Sequence, residues 1–286
     1  MRQRGLAAGV GFAQDSGRAI DMVRKNDKPL VLLTNDDGYA APGLQALAEA
    51  MAPWAKVVVI APEGEQSACS HALTLHRGLR LRRVREGLHA LDGTPADCVY
   101  VALFAGERLM PRRPDLVISG INRGLNLGFD IYYSGTVAAA REAAIRGVPA
   151  VAVSADPGAD PGAAAELAAR IGMAALDESR RMGVPVLLNV NIPKGRGWKV
   201  VATRMGRRIY GEGVEFRTDP RGREYLWIGG PGVRNGTEPG TDTEAFDRGE
   251  VGVSSLPLVP MANDEAARSL ERVFACEGGA RKKGRS

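Results

Sequence analysis

The sequence predicts an α/β fold: a three-layer, Rossmann-like and mostly parallel sheet with an appended β-rich C-terminal part. Over residues 28–193, short continuous apolar runs alternate with longer helical patterns, as in sheets covered by helices on both faces. After residue 193 the chain is richer in Gly, Thr and charged residues and has only short strand patterns. We therefore divide the chain into a flexible N-terminal extension (1–27), an α/β core (28–193), a β-rich part with an arm and a final helix (194–275), and a basic tail (276–286).

The first part of the core contains three strand patterns and a helix. Residues 29–34 (PLVLLT) and 56–62 (KVVVIAP) are continuous apolar runs of strand length, which is typical of strands buried on both faces. Pro42 opens a helical pattern between them, because the fixed φ of proline suits the first turn of a helix. Residues 73–84 include arginines that alternate with apolar side chains, which predicts a strand with one solvated face.

The rest of the core continues the alternation of strands and helices. A short strand leads into a turn at Asp92-Gly93 and into a helix that Thr94 caps and Pro95 begins. The predicted elements that follow are a strand at 114–121 (PDLVISGI), a helix that begins at Thr136 and is ended by Gly147, a strand at 148–154, a helix at 161–183 and a strand at 184–193.

The C-terminal part has a weaker pattern. Strands are predicted at 199–203, 223–230 and 250–258, and a final helix at 262–276. The segment 206–228 is rich in Gly and Arg and predicts a hairpin arm that extends from the body. We expect such an arm to serve in contacts between subunits.

Composition and charge argue against several classes of protein. Aromatic residues make up only 5% of the chain, and much of the net charge of +5 comes from local clusters such as the tail 281–286, so we expect no specific nucleic-acid binding. The three cysteines, Cys69, Cys98 and Cys276, have no metal-ligand spacing and predict reduced thiols. With no apolar run long enough to span a membrane and no signal peptide, we expect a cytoplasmic protein without membrane contact.

Polar side chains follow the predicted strands at the edge where parallel sheets bind ligands. Asp36 and Asp37 come directly after the first strand, and their like charges repel. Gly38 allows an immediate turn, so that both carboxylates can converge on one cation. The side chains expected to meet them are almost all oxygen donors: Asn35, Glu63, Glu65, Gln66, Ser67, Ser70, Asn122, Asn126 and Asp130. Such ligands favour Mg²⁺, Mn²⁺ or Ca²⁺; an ordinary Asn-Asp-Asp-Gly turn is the alternative.

The glycine-rich loop at 119–136 predicts a phosphate site beside these carboxylates. It ends in Ser134, Gly135 and Thr136 at the start of a helix, where free N–H groups, hydroxyls and the helix dipole favour an anion. The loop is neither a P-loop nor a GxGxxG fingerprint, so it does not imply ATP or NAD. A plain connection with Thr136 as the helix cap is the alternative. A metal beside a phosphate site indicates phosphoryl chemistry.

Four stretches together resemble the stationary-phase survival protein (SurE) family of metal-dependent nucleotidases. They are LLTNDDGYAAPGLQALAEA, VVVIAPEGEQSACSHALTL, DGTPADCVYVAL and PDLVISGINRGLNLGFDIYYSGTVAAAREAAIRGVPAVAVS. The similarity is clear over residues 29–155 and weaker to about residue 260. The resemblance implies hydrolysis of nucleoside 5′- and 3′-monophosphates, dependence on Mg²⁺ or Mn²⁺, and homodimers or homotetramers that exchange C-terminal elements.

The resemblance also implies roles for individual residues. One divalent metal ion would be held by Asp36, Asp37, Ser67 and Asn122. Our own hypothesis for the mechanism makes the two aspartates catalytic, with one of them orienting or deprotonating the attacking water; we choose Asp37 for this role, and Asp36 is the alternative. The phosphate of the nucleoside monophosphate would be bound by Asn126, Ser134, Gly135 and Thr136.

The sequence departs from the family pattern at the edge of the site. Gln66 stands where an arginine is common, Glu63 and Glu65 add negative charge, and Phe129 replaces a frequent acid. An acidic rim disfavours highly charged polyphosphate, although short-chain polyphosphate hydrolysis remains an alternative main activity.

Three further alternatives remain open from the sequence. One is a phospho-aspartate route, which the absence of a DxD motif disfavours, and another is a nucleotide or metal sensor without catalysis. The third is a catalytic role for His71 or His76, for which exposed strand positions are the simpler interpretation.

Overall fold

The computed structural model describes residues 28–258 and residue 268. The predicted N-terminal extension (1–27), the basic tail (276–286), Cys276 and all but one residue of the predicted final helix (262–276) lie outside the described residues. No helix in the described part combines the length and apolarity needed to cross a membrane.

Eleven strands and five α-helices make up the described chain. In chain order they are β1 (Leu30–Thr34), α1 (Pro42–Met51), β2 (Lys56–Pro62), β3 (Leu81–Arg85), β4 (Leu88–Leu91), α2 (Pro95–Phe104), β5 (Leu116–Arg123), α3 (Gly135–Ile145), β6 (Ala150–Ala155), α4 (Pro161–Met182), β7 (Leu187–Ile192), β8 (Val200–Thr203), β9 (Arg208–Thr218), β10 (Glu224–Asn235), α5 (Asp242–Asp247) and β11 (Val251–Ser255). Short 3-10 helices lie at Gly106–Arg108 and Gly128–Tyr132.

Nine of the strands form one sheet in the order β3-β4-β2-β1-β5-β6-β7-β11-β8. Six adjacent strands, in the order β4-β2-β1-β5-β6-β7, are parallel to one another. On either side of them, β3 pairs antiparallel with β4, and β11 pairs antiparallel with β7. The chain runs from β1 to β2 on one side and later returns to β5 on the other side of β1. The carboxyl ends of β1 and β5 therefore flank the switch point at which open parallel sheets bind ligands.

Helices cover both faces of this sheet. Every residue of β1 is buried, and its side chains alternate between two cores. Val31 and Leu33 pack with α1 and α4 on one face, whereas Leu30 and Leu32 pack with α2 and α3 on the other. The three-layer α/β fold predicted from the sequence is confirmed.

The strand predicted at 73–84 is wrong over most of its length. Regular pairing begins only at Leu81, because the backbone N–H and the hydroxyl of Thr74 donate to Asp97 in α2 and draw the chain away from the sheet. All five residues of β3 are exposed, so the expected buried face is absent from this edge strand.

Two further elements differ from the sequence expectation. β5 continues through Arg123, so Asn122 lies in the strand rather than after it. Its pairing with β6 is irregular between Ser119 and Asn122, where Gly120 has a φ of 143° and lies so close to the Val153 carbonyl that a side chain would collide with it. The short helix α5 and the antiparallel position of β11 were not predicted.

β9 and β10 form a separate two-stranded antiparallel ribbon at the segment for which an arm was predicted. Its pairing extends to Asn235, beyond the predicted end at residue 228. Large apolar side chains on the ribbon are exposed, among them Val214, Phe216, Trp227 and Ile228. A use of the ribbon in subunit contacts stays a prediction.

Candidate active site

The turn after β1 brings Asp36 and Asp37 to the switch point of the sheet. Gly38 has a φ of 97°, a conformation that favours glycine, and the Asn35 side chain closes the turn by donating to the Gly38 carbonyl at 2.9 Å. A side-chain carbon at Gly38 would lie 3.2 Å from the backbone of Gly64, so this turn and the loop after β2 pack tightly.

Asp36 is buried, and the start of α3 holds its carboxylate. The Thr136 hydroxyl donates to Asp36 Oδ1, and the Thr136 N–H donates to Oδ2 at 3.1 Å. Gly135 permits this approach, because a side-chain carbon there would lie 2.9 Å from Cβ of Asp36. Burial raises the pKa of Asp36, the hydroxyl bond from Thr136 opposes that rise, and the charge of Asp37 adds to it.

Asp37 is less buried and keeps one carboxylate oxygen for a ligand. The Arg123 N–H donates to Oδ2 of Asp37 at 3.2 Å, which joins the ends of β1 and β5. Burial raises the pKa of Asp37; the bond from Arg123 lowers it, and the charge of Glu65 raises it further. Both acids are therefore costly to keep ionised unless a cation is close.

The loop after β2 places Ser67 beside these acids. The Gln66 N–H donates to the Asp36 carbonyl at 2.8 Å and fixes the loop to the turn. The Ser67 hydroxyl donates to Glu65 at 2.8 Å, which leaves the lone pairs of its oxygen for a ligand. Ala68 and Ser70 have φ values of 56° and 54°, an unusual conformation for residues with side chains, so the loop path is strained next to the site.

Asn122 supplies a neutral oxygen from β5. Its amide nitrogen donates to the Gly124 carbonyl at 3.0 Å, so the side-chain oxygen is the atom that faces a cation most naturally. The predicted metal set is thus two carboxylates, one hydroxyl and one amide oxygen, which suits Mg²⁺ or Mn²⁺. Within the described residues, there is no cluster of three or more His, Cys, Asp or Glu side chains that could hold a metal by themselves.

The four residues predicted to bind phosphate have different surroundings. Ser134 caps α3, with its hydroxyl accepting from the Val137 N–H at 3.1 Å, and Asn126 is held by Ser154, Asn189 and Asn191. Gly135 packs against Asp36. Thr136 is fully buried and directs both donors to Asp36, so as placed it positions a carboxylate rather than a phosphate. It is also not the helix cap.

Two cavities meet at this cluster. The helix-side cavity, about 560 Å³, lies between the starts of α1 and α4 and is lined by Asp37 and Glu65. The ribbon-side cavity, about 860 Å³, lies between α3 and the base of the ribbon and is lined by Asp36, Asn126 and Ser134. Three residues line both cavities: Ser67, Asn122 and Arg123. Most of the predicted site residues are therefore together at one edge of the sheet.

Arg123 is the residue that the sequence analysis missed. Among the described residues that line the two cavities, Arg123 is the only Lys, Arg or His, whereas six carboxylates line them: Asp36, Asp37, Glu65, Asp130, Asp156 and Glu212. A phosphate bound in this site would therefore have Arg123 as its nearby cationic side chain. The sequence feature that could have identified Arg123 was its position directly after Asn122, at the end of a buried strand.

Asp130 and His71 have structural partners. Asp130 accepts hydrogen bonds from Arg208 Nη1 and from the Tyr210 hydroxyl, both at 2.7 Å. It thereby holds the ribbon against the 3-10 helix at Gly128–Tyr132. Nε2 of His71 lies 3.0 Å from the buried carboxylate of Glu142 in α3, whereas His76 is exposed. The bond to His71 lowers the pKa of Glu142, with help from Arg146. His71 thus links the loop of Ser67 to α3.

The fold and these side chains define an α/β protein whose oxygen-donor site lies beside a helix N-terminus at the switch point of a parallel sheet. Residues 31–212 match the family model described as survival protein SurE. The chain belongs to the SurE family.

Known members of the family cover most of the chain. The chain is 61% identical over 234 residues to 5′-nucleotidase SurE of Sorangium cellulosum, an alignment that covers 81% of this chain and 90% of the relative. It is 54% identical over 220 residues to 5′-nucleotidase SurE of Anaeromyxobacter dehalogenans, covering 75% and 84%. The crystal structure of SurE from Aquifex aeolicus aligns with a TM-score of 0.72 at 38% identity, covering 86% of this chain and all of that one.

Proposed function

We propose that the chain is a divalent-metal-dependent phosphatase that hydrolyses nucleoside 5′-monophosphates, and also 3′-monophosphates, to nucleoside and phosphate. Relatives named 5′-nucleotidase SurE, at up to 61% identity over most of the chain, support the nucleotidase activity. Mg²⁺ or Mn²⁺ is the metal that the donor atoms favour.

The observation that carries this proposal is the uncompensated negative charge at the switch point. Asp36 and Asp37 are adjacent, and burial raises the pKa of each. Their contacts come from Thr136 and from the backbone of Arg123, not from an ion pair with a side chain of the described residues. A site built in this way suits a dication.

The two aspartates have different roles in the proposed reaction. Both oxygens of Asp36 accept hydrogen bonds from Thr136, so its carboxylate is held in one orientation. Asp37 accepts one hydrogen bond, from the Arg123 N–H, so its two oxygens keep lone pairs both for the metal and for the proton of the attacking water. A metal bound by Asp36, Asp37, Ser67 and Asn122 would supply Lewis-acid stabilisation of phosphoryl charge and a lower pKa for that water.

The remaining residues bind and orient the phosphate. Ser134 offers the O–H of its hydroxyl and Gly135 its backbone N–H at the start of α3. Asn126 offers the second N–H of its amide, and Arg123 contributes a positive charge at the junction of the cavities. Six surrounding carboxylates disfavour long polyphosphates, so we propose the monophosphate as the substrate.

We also propose a homodimer or homotetramer in the cytoplasm. The exposed apolar side chains of the ribbon offer a surface that a second subunit would cover. Light scattering of the purified protein, compared with a variant in which Phe216 and Trp227 are replaced by serine, would test this assembly. A wild type that stays monomeric at all concentrations would contradict it.

Phosphate release from a panel of nucleoside 5′- and 3′-monophosphates, measured with EDTA, Mg²⁺ or Mn²⁺, tests the proposed activity. We expect metal-dependent release that falls by about 100-fold or more in Asp37→Asn, because the variant lacks the base and a metal ligand. Asp156→Asn, a matched change in a carboxylate of the helix-side cavity, should stay close to wild type. Binding of nucleotide without any release would indicate a sensor instead.

A further inference from the structure

β7 ends in two buried asparagines on the same face of the sheet. Asn189 is 0% and Asn191 is 1% exposed, and they are two residues apart in the strand. Both side chains therefore point to the side of α3, where Leu187 belongs to the core. Neither asparagine is among the described residues that line the two cavities. Any contribution that they make to the site must act through another residue.

Both asparagines bind the backbone of Asn126 in the glycine-rich loop. Asn191 Oδ1 accepts from the Asn126 N–H at 2.8 Å, and Asn191 Nδ2 donates to the Asn126 carbonyl at 3.0 Å. Asn189 Nδ2 donates to the same carbonyl at 2.9 Å. The side-chain amide of Asn191 thus pairs with the backbone of Asn126 as a neighbouring strand would, and it fixes the position of a loop residue.

A third buried residue holds the side chain of Asn126. Ser154 of β6 lies, by strand register, between Asn122 of β5 and Asn191 of β7. The hydroxyl oxygen of Ser154 accepts from Asn126 Nδ2 at 2.7 Å. One N–H of the amide is thereby committed, and the other is available to the ribbon-side cavity, which Asn126 lines. The backbone and the side chain of Asn126 are therefore both held from the sheet.

This arrangement is costly for the fold. Asn189 Oδ1 is buried and has no hydrogen-bond partner among the described residues, which lowers stability. Apolar side chains would fill the same face without that cost, as Val190 and Ile192 do on the opposite face of β7. A buried polar group of this kind calls for an explanation outside the packing of the core, and the loop that the two amides hold provides one.

We propose that Asn191 and Ser154, supported by Asn189, are positioning residues of the proposed phosphatase. They hold Asn126 so that the free N–H of its amide meets the phosphate of the substrate. The proposal rests on the proposed function and deepens it. Because the donor is oriented before the phosphate arrives, less conformational freedom is lost on binding.

Removal of one hydroxyl tests the proposal with little disturbance of the fold. In Ser154→Ala the Asn126 amide is free to rotate, so KM for adenosine 5′-monophosphate and the inhibition constant of inorganic phosphate should both rise about fivefold. Affinity for Mn²⁺, measured by calorimetry, should stay unchanged. A merely structural defect would lower the folded fraction and with it the apparent kcat, but it would leave KM as in wild type.

Ser254 provides a matched control in the same sheet. It is 1% exposed, its hydroxyl lies 2.8 Å from that of Thr203, and it is not among the described residues that line either cavity. Ser254→Ala therefore also removes a buried hydroxyl from a hydrogen bond. We expect a lower melting temperature, as in Ser154→Ala, but wild-type values of KM and of the inhibition constant.

Asn191→Ala should have a larger effect than Ser154→Ala. The N–H of Asn126 would then be buried without a partner, so the melting temperature should fall further and KM should rise about tenfold. An unchanged KM in a folded Asn191→Ala would remove this residue from the proposal. Ser154→Ala keeps the proposal testable even if Asn191→Ala does not fold, because it leaves both backbone bonds of Asn126 in place.

A double variant shows whether Ser154 acts through Asn126. Asn126→Ala removes the donor itself, so the addition of Ser154→Ala should raise KM no further. A further rise of similar size in the double variant would overturn the proposal. Unchanged constants in Ser154→Ala would do the same, as would an equal rise of KM in Ser254→Ala.

The positioning role can be separated from the proposed function. Failure of the wild type to release phosphate from any nucleoside monophosphate would reject the function. Calorimetric binding of inorganic phosphate in the presence of Mn²⁺ would then still test Ser154. Weaker binding by Ser154→Ala than by wild type would support the positioning role, whereas equal binding, or no binding by wild type, would reject it.

Discussion

Two groups of buried or half-buried acids at the same edge of the sheet differ in their partners. Asp130 is paired with the guanidinium of Arg208 at 2.7 Å and with the hydroxyl of Tyr210, both from the ribbon. Asp36 and Asp37 are adjacent in the chain, and their carboxylates accept hydrogen bonds from Thr136 and from the backbone N–H of Arg123. Asp130 is thus neutralised by the protein itself, whereas the pair after β1 is not.

This difference distinguishes an acid that holds the fold together from two acids that we propose to bind a metal. A buried carboxylate with a cationic partner holds elements together, and its loss leaves the partner unpaired. Buried carboxylates without such a partner cost stability, and a fold retains them where a ligand provides the missing charge. The comparison predicts that changes at Asp130 act on stability, and that changes around Asp36 and Asp37 act on catalysis.

Asp130→Ala should have the largest effect on folding. It leaves the charge of Arg208 largely buried and unpaired, which costs about 3 kcal/mol of unfolding free energy. Denaturant unfolding followed by circular dichroism measures this loss. Glu178→Ala, at an exposed ion pair with Arg181 on the surface of α4, is the control and should unfold almost as wild type. Equal stability of wild type and Asp130→Ala would remove the contrast between the two groups of acids.

Thr136→Val tests the support of Asp36, which we propose to be a catalytic carboxylate. The change keeps the shape of the side chain and the N–H bond to Oδ2, but it removes the hydroxyl bond to Oδ1 of Asp36. We expect kcat/KM to fall about tenfold, since a hydrogen bond to a charged group is worth roughly 1.5–3 kcal/mol. If Thr136 bound the phosphate directly, KM would rise while affinity for Mn²⁺ stayed unchanged. Manganese affinity measured by calorimetry distinguishes the two roles.

Arg123→Gln is expected to have the smallest effect. The backbone N–H that binds Asp37 remains, so only the positive side chain at the junction of the cavities is lost. Affinity for inorganic phosphate, measured as competitive inhibition, should weaken about fivefold, because Arg123 is exposed and water weakens an ion pair at such a position. Arg82→Gln removes the same charge from an exposed ion pair with Glu63 and should leave the inhibition constant unchanged. Equal effects in both variants would mean that the overall electrostatic field of the protein attracts phosphate and that Arg123 makes no local contribution.

The sequence was sufficient to predict the parallel core and to bring most of the candidate site residues to one edge of the sheet. Continuous apolar runs mark β1 and β2 because both of their faces are covered by helices. Parallel pairing then brings the segments after β1, β2 and β5 to one edge, which is why Asp36, Ser67 and Asn122 could be grouped in advance.

Local contacts that depend on tertiary packing could not be predicted. Alternating arginines suggested a strand from residue 73, but the bonds of Thr74 to Asp97 in α2 delay pairing until Leu81. The orientation of Thr136 toward Asp36 depends on where α3 begins, and that start is set by the cap at Ser134. Arg123 was missed because the sequence does not show that the end of β5 places this residue where the two cavities meet.

The thermal stability of wild type and Asp37→Asn, with EDTA or Mn²⁺, tests the central claim most directly. Folding raises the pKa of Asp37, so the folded state binds the proton more tightly and loses stability as pH rises from the ordinary aspartate value through the raised one. At pH 7 in EDTA, the account therefore predicts a higher melting temperature for Asp37→Asn than for wild type. Mn²⁺ should then stabilise wild type much more than the variant. A variant that melts lower in EDTA and gains as much from Mn²⁺ would contradict the account.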